Sequence, residues 1–140
     1  MRGKALSVRD ADYLTALAKN GGRARLKDVC EALGVAKPTA CLMLKKLASD
    51  GLVRKDGRHY VLTEEGMALA THILWRHGVT EWMLVKAGLP KEEACAIARR
   101  IELLIPEDAL RKVWEYMGRP SVCPCGKDIT NPASSCRPLR

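Results

Sequence analysis

The chain has 140 residues, 47% hydrophobic and 29% charged, which suits one or two small domains with modest cores and excludes a disordered polypeptide. No apolar run approaches the roughly 20 residues a membrane helix needs. The opening MRGKALSVRD lacks the apolar stretch of a secretory leader, so a cytoplasmic protein is expected. The formal charge of +8 is unevenly placed: residues 1–62 hold 13 Lys and Arg against 6 Asp and Glu, and residues 63–140 hold 11 against 10. A surplus confined to one half suits contact with phosphates, whereas a merely soluble surface gives no reason for the asymmetry.

The first helix is predicted from about Val8 to Lys19, capped by Ser7 with Asp10 three residues on and closed by Gly21-Gly22. Ala11, Leu14, Leu17 and Ala18 form its buried side, and Asp12 lies next to that side. Leu26, Val29, Cys30 and Leu33 then recur at helical spacing, and Gly34 stops that short helix. After the Val35-Ala36-Lys37 turn, Pro38 opens a helix to about Asp50 that buries Ala40, Leu44 and Leu47. Leu52-Val53-Arg54 and His59-Tyr60-Val61 flank Asp56-Gly57 as a two-stranded hairpin. Helix, turn, helix, hairpin is a winged helix-turn-helix, whose second helix is shaped for the DNA major groove.

Thr63 caps a long helix beginning at Glu64 and running to the stop at Gly88, a natural connector to a second domain. Helices over about 90–104 and 106–117 follow, apolar at Ala94, Ile97, Ala98, Ile101 and Leu104, and at Ala109, Leu110, Val113, Trp114 and Met117. Two short amphipathic helices enclose little core alone and are expected to form half of a dimer interface. The remainder, RPSVCPCGKDITNPASSCRPLR, is expected as a loop held by something other than regular structure. The fold class is therefore mainly α: a winged helix-turn-helix over 1–72, a helical metal-binding and dimerisation domain over 73–118, and a cysteine-containing tail over 119–140.

Six cysteines fall at 30, 41, 95, 123, 125 and 136. In a reducing compartment, clustered cysteines point to metal or redox chemistry rather than disulfides. Cys30 and Cys41 lie within the helix-turn-helix and read as packing residues. His77 and Glu81 stand four apart on one helix, so both project from one side and suit a divalent metal, unless they are an ordinary surface pair. No nucleophile–base pair or phosphate-binding glycine loop indicates catalysis, so no enzyme is expected.

The stretch ARLKDVCEALGVAKPTACLMLKKLASDGLV, the segment ATHILWRHGVTEWMLVKAGLPKEEACAIARRIE and the tail VCPCGKDI together resemble the diphtheria-toxin-repressor family of metal-dependent transcription regulators, including iron and manganese regulators. The resemblance implies a dimeric, two-domain repressor of double-stranded DNA, without the SH3-like third domain of longer members. It sets Pro38, Thr39 and Leu42 where the recognition helix meets DNA. Lys37, Lys45 and Lys46 are candidate phosphate contacts unless they are a solvated face, and Arg25 and Arg58 complete the candidate DNA-binding set. It also matches Asp12, His77, Glu81, Cys95 and Glu102 to metal-ligand positions.

Two positions break the family pattern: Arg99 stands where a Cys or Glu ligand is found, and Leu103 replaces a ligand histidine. Arginine cannot ligate a cation, so the usual primary site is damaged. Cys95, Cys123, Cys125 and Cys136 offer a thiolate-rich centre instead, with an iron–sulfur cluster or Fe2+ preferred and Zn2+ or Mn2+ as alternatives. The competing readings are a winged-helix DNA-binding protein with a purely structural zinc site, a winged-helix protein-interaction module, and free tail cysteines.

Overall fold

The computed structural model describes residues 6–139, so the leader reading of the first five residues lies outside the described residues. Among the described residues, six helices and a three-stranded sheet follow in chain order: α1 (Val8–Lys19), β1 (Arg23–Arg25), α2 (Leu26–Leu33), α3 (Lys37–Ser49), β2 (Val53–Asp56), β3 (His59–Leu62), α4 (Glu64–Lys86), α5 (Lys91–Ile101) and α6 (Glu107–Tyr116). They divide into two compact units, the first reaching Ala70 and including Leu139, the second spanning Thr71–Pro138.

In the first unit, Ser7 caps α1: its hydroxyl accepts from the Asp10 amide at 3.0 Å and Asp10 accepts from the Ser7 amide at 3.1 Å. Ala11, Leu14, Leu17 and Ala18 are fully buried, as their spacing requires. Gly34 ends α2 at φ 65°, a left-handed geometry that a residue with a Cβ adopts only at a cost. Ala40, Leu44 and Leu47 bury one side of α3 against the core and leave Lys37, Pro38, Leu42 and Lys45 exposed.

The wing differs from the two-stranded expectation. Arg23–Arg25 pairs antiparallel with β3, giving the order β1-β3-β2. Three residues are too short to display alternation, and Arg-Ala-Arg carries only one buried side chain, Ala24. Pairing with β3 is what makes it a strand.

In the second unit, α5 and α6 are shorter than their apolar patterns suggested, and Leu104 lies beyond α5, 77% exposed. His72 on α4 meets Glu107 at 3.0 Å, while Arg76 donates to the backbone carbonyls of Glu102 and Ile105. Among its described residues, the segment after α6 has no helix or named strand, only a bridge between Val122 and Asp128. Side chains fix it: Trp82 Nε1 donates to the Val122 carbonyl at 2.6 Å, and Trp114 Nε1 donates to the Pro120 carbonyl at 3.1 Å. Ile129 is buried against Gly78, where an added Cβ would lie 2.4 Å from Ile129 Cγ2.

Candidate metal centre

Residues 77 and 81 are one turn apart on α4, so His77 and Glu81 present their side chains to the same place. Both are buried, at 2% and 0% exposure, with His77 Nε2 3.7 Å from Glu81 Oε1. From α5, Cys95 Sγ comes within 3.4 Å of His77 Nε2. From the tail, Cys136 Sγ lies 4.0 Å from Cys95 Sγ and 3.3 Å from Glu81 Oε1. Cys123 Sγ is 3.4 Å from Cys136 Sγ, and Cys125 Sγ is 3.2 Å from Glu81 Oε2.

Among the described residues two donor groups result: His77, Glu81, Cys95 and Cys136, and Glu81, Cys123, Cys125 and Cys136. Within each group the donor atoms all lie within 4.8 Å of one another. Protein ligands bind transition metals at about 2.0–2.3 Å, so donors of one ion stand within roughly 4.6 Å of each other. Thiolates with one imidazole and one carboxylate form a set that favours soft or borderline cations. The residues present therefore fit a thiophilic metal.

Proton affinities reflect the crowding. The hydrogen bond with the Cys136 thiol leads in drawing Cys95 down to about 5, against burial and with help from His77. Burial pushes His77 down, but its bonds to Cys95 and Glu102 outweigh that and hold it up to about 9. Each shift favours the charged form of its group beside the other. Burial and then Glu81 push Cys125 up to about 12, while Cys95, burial and Cys123 raise Cys136. Burial also lifts Glu81 above the ordinary carboxylate range, opposed by hydrogen bonds from Cys125 and Cys136. A bound cation would displace these protons.

Glu102 and Asp12, matched to ligands by resemblance, are in neither donor group. Glu102 is fully buried behind the histidine: one oxygen meets His77 Nδ1 at 2.6 Å and the other accepts from Arg137 Nε at 2.6 Å. That arrangement directs Nε2 of His77 toward the sulfurs. Asp12 is buried on α1 in the first unit. Arg137 had no signal in the sequence; a lone arginine in a Pro- and Ser-rich tail reads as solvated, yet it is fully buried.

The candidate DNA-contacting residues sit in the first unit. Arg25, Lys37, Pro38, Leu42, Lys45 and Arg58 are exposed, Leu42 by 70%, and Thr39 is half-buried. Lys46 is engaged: its Nζ donates to Asp10 Oδ1 at 2.9 Å and to Oδ2 at 3.2 Å, which ties α3 to α1.

Residues 63–131 match the model of the iron dependent repressor metal binding and dimerisation domain, and residues 9–57 match the IclR helix-turn-helix domain. The chain is 37% identical over 103 residues to the iron-dependent repressor IdeR of Mycobacterium tuberculosis, covering 72% of this chain and 45% of that protein. It thus spans about half the length of that curated relative. It is 30% identical over 133 residues to an uncharacterized HTH-type transcriptional regulator of Aeropyrum pernix, covering 94% of this chain and 73% of the relative. The crystal structure of a hypothetical protein from Sulfolobus solfataricus superposes with a TM-score of 0.77 at 31% identity, covering 89% of this chain and 98% of that one. With a helix-turn-helix followed by the repressor metal-binding and dimerisation domain, the chain belongs to the diphtheria-toxin-repressor family of metal-dependent transcription regulators.

Proposed function

We propose that this chain is a dimeric, cytoplasmic DNA-binding regulator, a repressor by its likeness, whose operator affinity is set by a metal held at His77, Glu81, Cys95 and Cys136. The observation that carries this reading is the buried convergence of those four donors from α4, α5 and the tail. Glu102 orients the histidine, and Arg137 balances the Glu102 charge. When bound, the metal would supply a cross-link joining three segments of the second unit. The exposed Lys37, Pro38, Leu42 and Lys45 of α3 support docking into a major groove, with Arg25 and Arg58 beside them as phosphate contacts. The matched dimerisation domain supports a homodimer reading two half-sites.

Donor spacing favours Zn2+ or Fe2+ bound directly by the side chains over the iron–sulfur cluster suggested by the cysteine count. A core of several irons holds its thiolates farther apart than donors sharing one ion. The closed four-donor set also suits a purely structural zinc site, which has no open coordination position.

One experiment separates the readings. The full chain, purified anaerobically and stripped by a chelator, is titrated into duplex DNA selected from a random pool, with and without Zn2+ or Fe2+. At least a tenfold change in affinity with metal, together with steep weakening by salt, supports the regulator. DNA binding indifferent to metal supports the structural site. No binding to any duplex supports a protein-interaction module.

A further inference from the structure

Two side chains belong to both donor groups, and each faces both. Glu81 directs Oε1 toward His77 Nε2 at 3.7 Å and Cys136 Sγ at 3.3 Å, while its Oε2 lies 3.2 Å from Cys125 Sγ. Cys136 Sγ stands between Cys95 Sγ at 4.0 Å and Cys123 Sγ at 3.4 Å. A carboxylate with its oxygens turned to separate partners and a sulfur between two other sulfurs are the two bridging ligands that soft metals use. From this geometry we propose that the centre holds a pair of thiophilic cations of the zinc class, bridged by the Cys136 thiolate and the Glu81 carboxylate.

His77 and Cys95 complete the coordination of one ion, and Cys123 and Cys125 that of the other. The second position has its own supporting turn. Gly126 donates to the Cys123 carbonyl at 2.8 Å, which curls Cys123-Pro124-Cys125-Gly126-Lys127 back on itself. The Lys127 amide then points at Cys123 Sγ from 3.4 Å, which fixes where that sulfur sits in the turn. A single ion would use only four of the six donors and leave the others crowded against it. The pair uses all six, with no donor idle.

This inference rests on the metal-regulated reading above, and the test separates the two. The full chain, stripped and kept anaerobic, is titrated with Co2+ as a spectroscopic probe, following thiolate-to-cobalt absorbance and electron paramagnetic resonance. The expected break falls at two equivalents per chain. The resonance intensity per cobalt should fall as the second equivalent enters, because a bridging sulfur couples the two spins. Cys125→Ala and Cys95→Ala should each move the break to one equivalent and abolish that fall. A break at one equivalent in the parent chain overturns the pair, as does a Cys125→Ala variant that still takes two. Two equivalents with undiminished resonance intensity overturn the shared bridge. If the break stays at two while DNA binding ignores metal, the pair stands and the regulatory reading falls.

Discussion

A Glu102 carboxylate oxygen lies 2.6 Å from His77 Nδ1, and neither side chain reaches solvent. The carboxylate fixes which ring nitrogen faces the sulfurs, so it would act on a bound metal through the histidine. Glu102→Gln keeps the shape and removes the charge. Metal affinity should fall roughly 10–100-fold, as for other outer carboxylates behind a ligand histidine. Competition against a chromophoric chelator measures it. An unchanged affinity would show that His77 needs no orientation.

The double variant Cys95→Ser/Cys123→Ser removes one sulfur unique to each donor group. The fold should survive by circular dichroism, while DNA affinity should lose its response to added metal. A normal response would exclude the cysteine centre as the sensor.

Asp10 gives the first unit an acid limit. Burial raises its pKa, but hydrogen bonds from Lys46 and from the Ser7 amide and hydroxyl outweigh that and hold it below the ordinary carboxylate range. A carboxyl depressed in the folded state adds stability above its unfolded value, about 3.9, and loses it as pH falls through the folded value. Asp10→Ala should cost about 2 kcal/mol at neutral pH, the scale of losing hydrogen bonds to a charged group. It should also flatten the acid side of the stability profile, as read by thermal melts across pH 2–5.

Lys45 and Lys46 are neighbours with different surroundings, since Lys45 is exposed and Lys46 is held by Asp10. Lys45→Ala should weaken duplex binding and lower the slope of log affinity against log salt by about 1. Lys46→Ala should lower the melting temperature with a smaller effect on that slope. Equal slope changes would mean that Lys46 leaves Asp10 to meet phosphate.

Gly78→Ala sets two effects against each other. Alanine favours a helix interior by about 1 kcal/mol. Its Cβ would lie 2.4 Å from Ile129 Cγ2, and such overpacking costs about 1–3 kcal/mol. Strain should win, displacing the tail, so metal affinity should fall and the tail should be cleaved faster by protease.

The helices of the first unit were legible because their signals are local. Ser7 with Asp10, Gly34, Pro38 and the Asp56-Gly57 turn all act within a few residues. Strand β1 was not legible, because its partner lies some 35 residues downstream and three residues show no period. The same divide runs through the candidate metal centre. His77 and Glu81 announced themselves by their spacing, and the four cysteines by their number. The burial of Glu102 behind His77, and of Arg137 behind Glu102, arises only when the tail folds back on α4 and α5. Nothing local to Arg137 distinguishes it from a solvated arginine.

Trp82 follows Glu81 directly in α4, and its indole is bonded to the carbonyl that precedes Cys123. One fluorophore is therefore wired to both a helical donor and the turn carrying two of the sulfurs. Its emission should shift whenever that turn lifts away, which makes it a label-free optical gauge for any metal added to the chain.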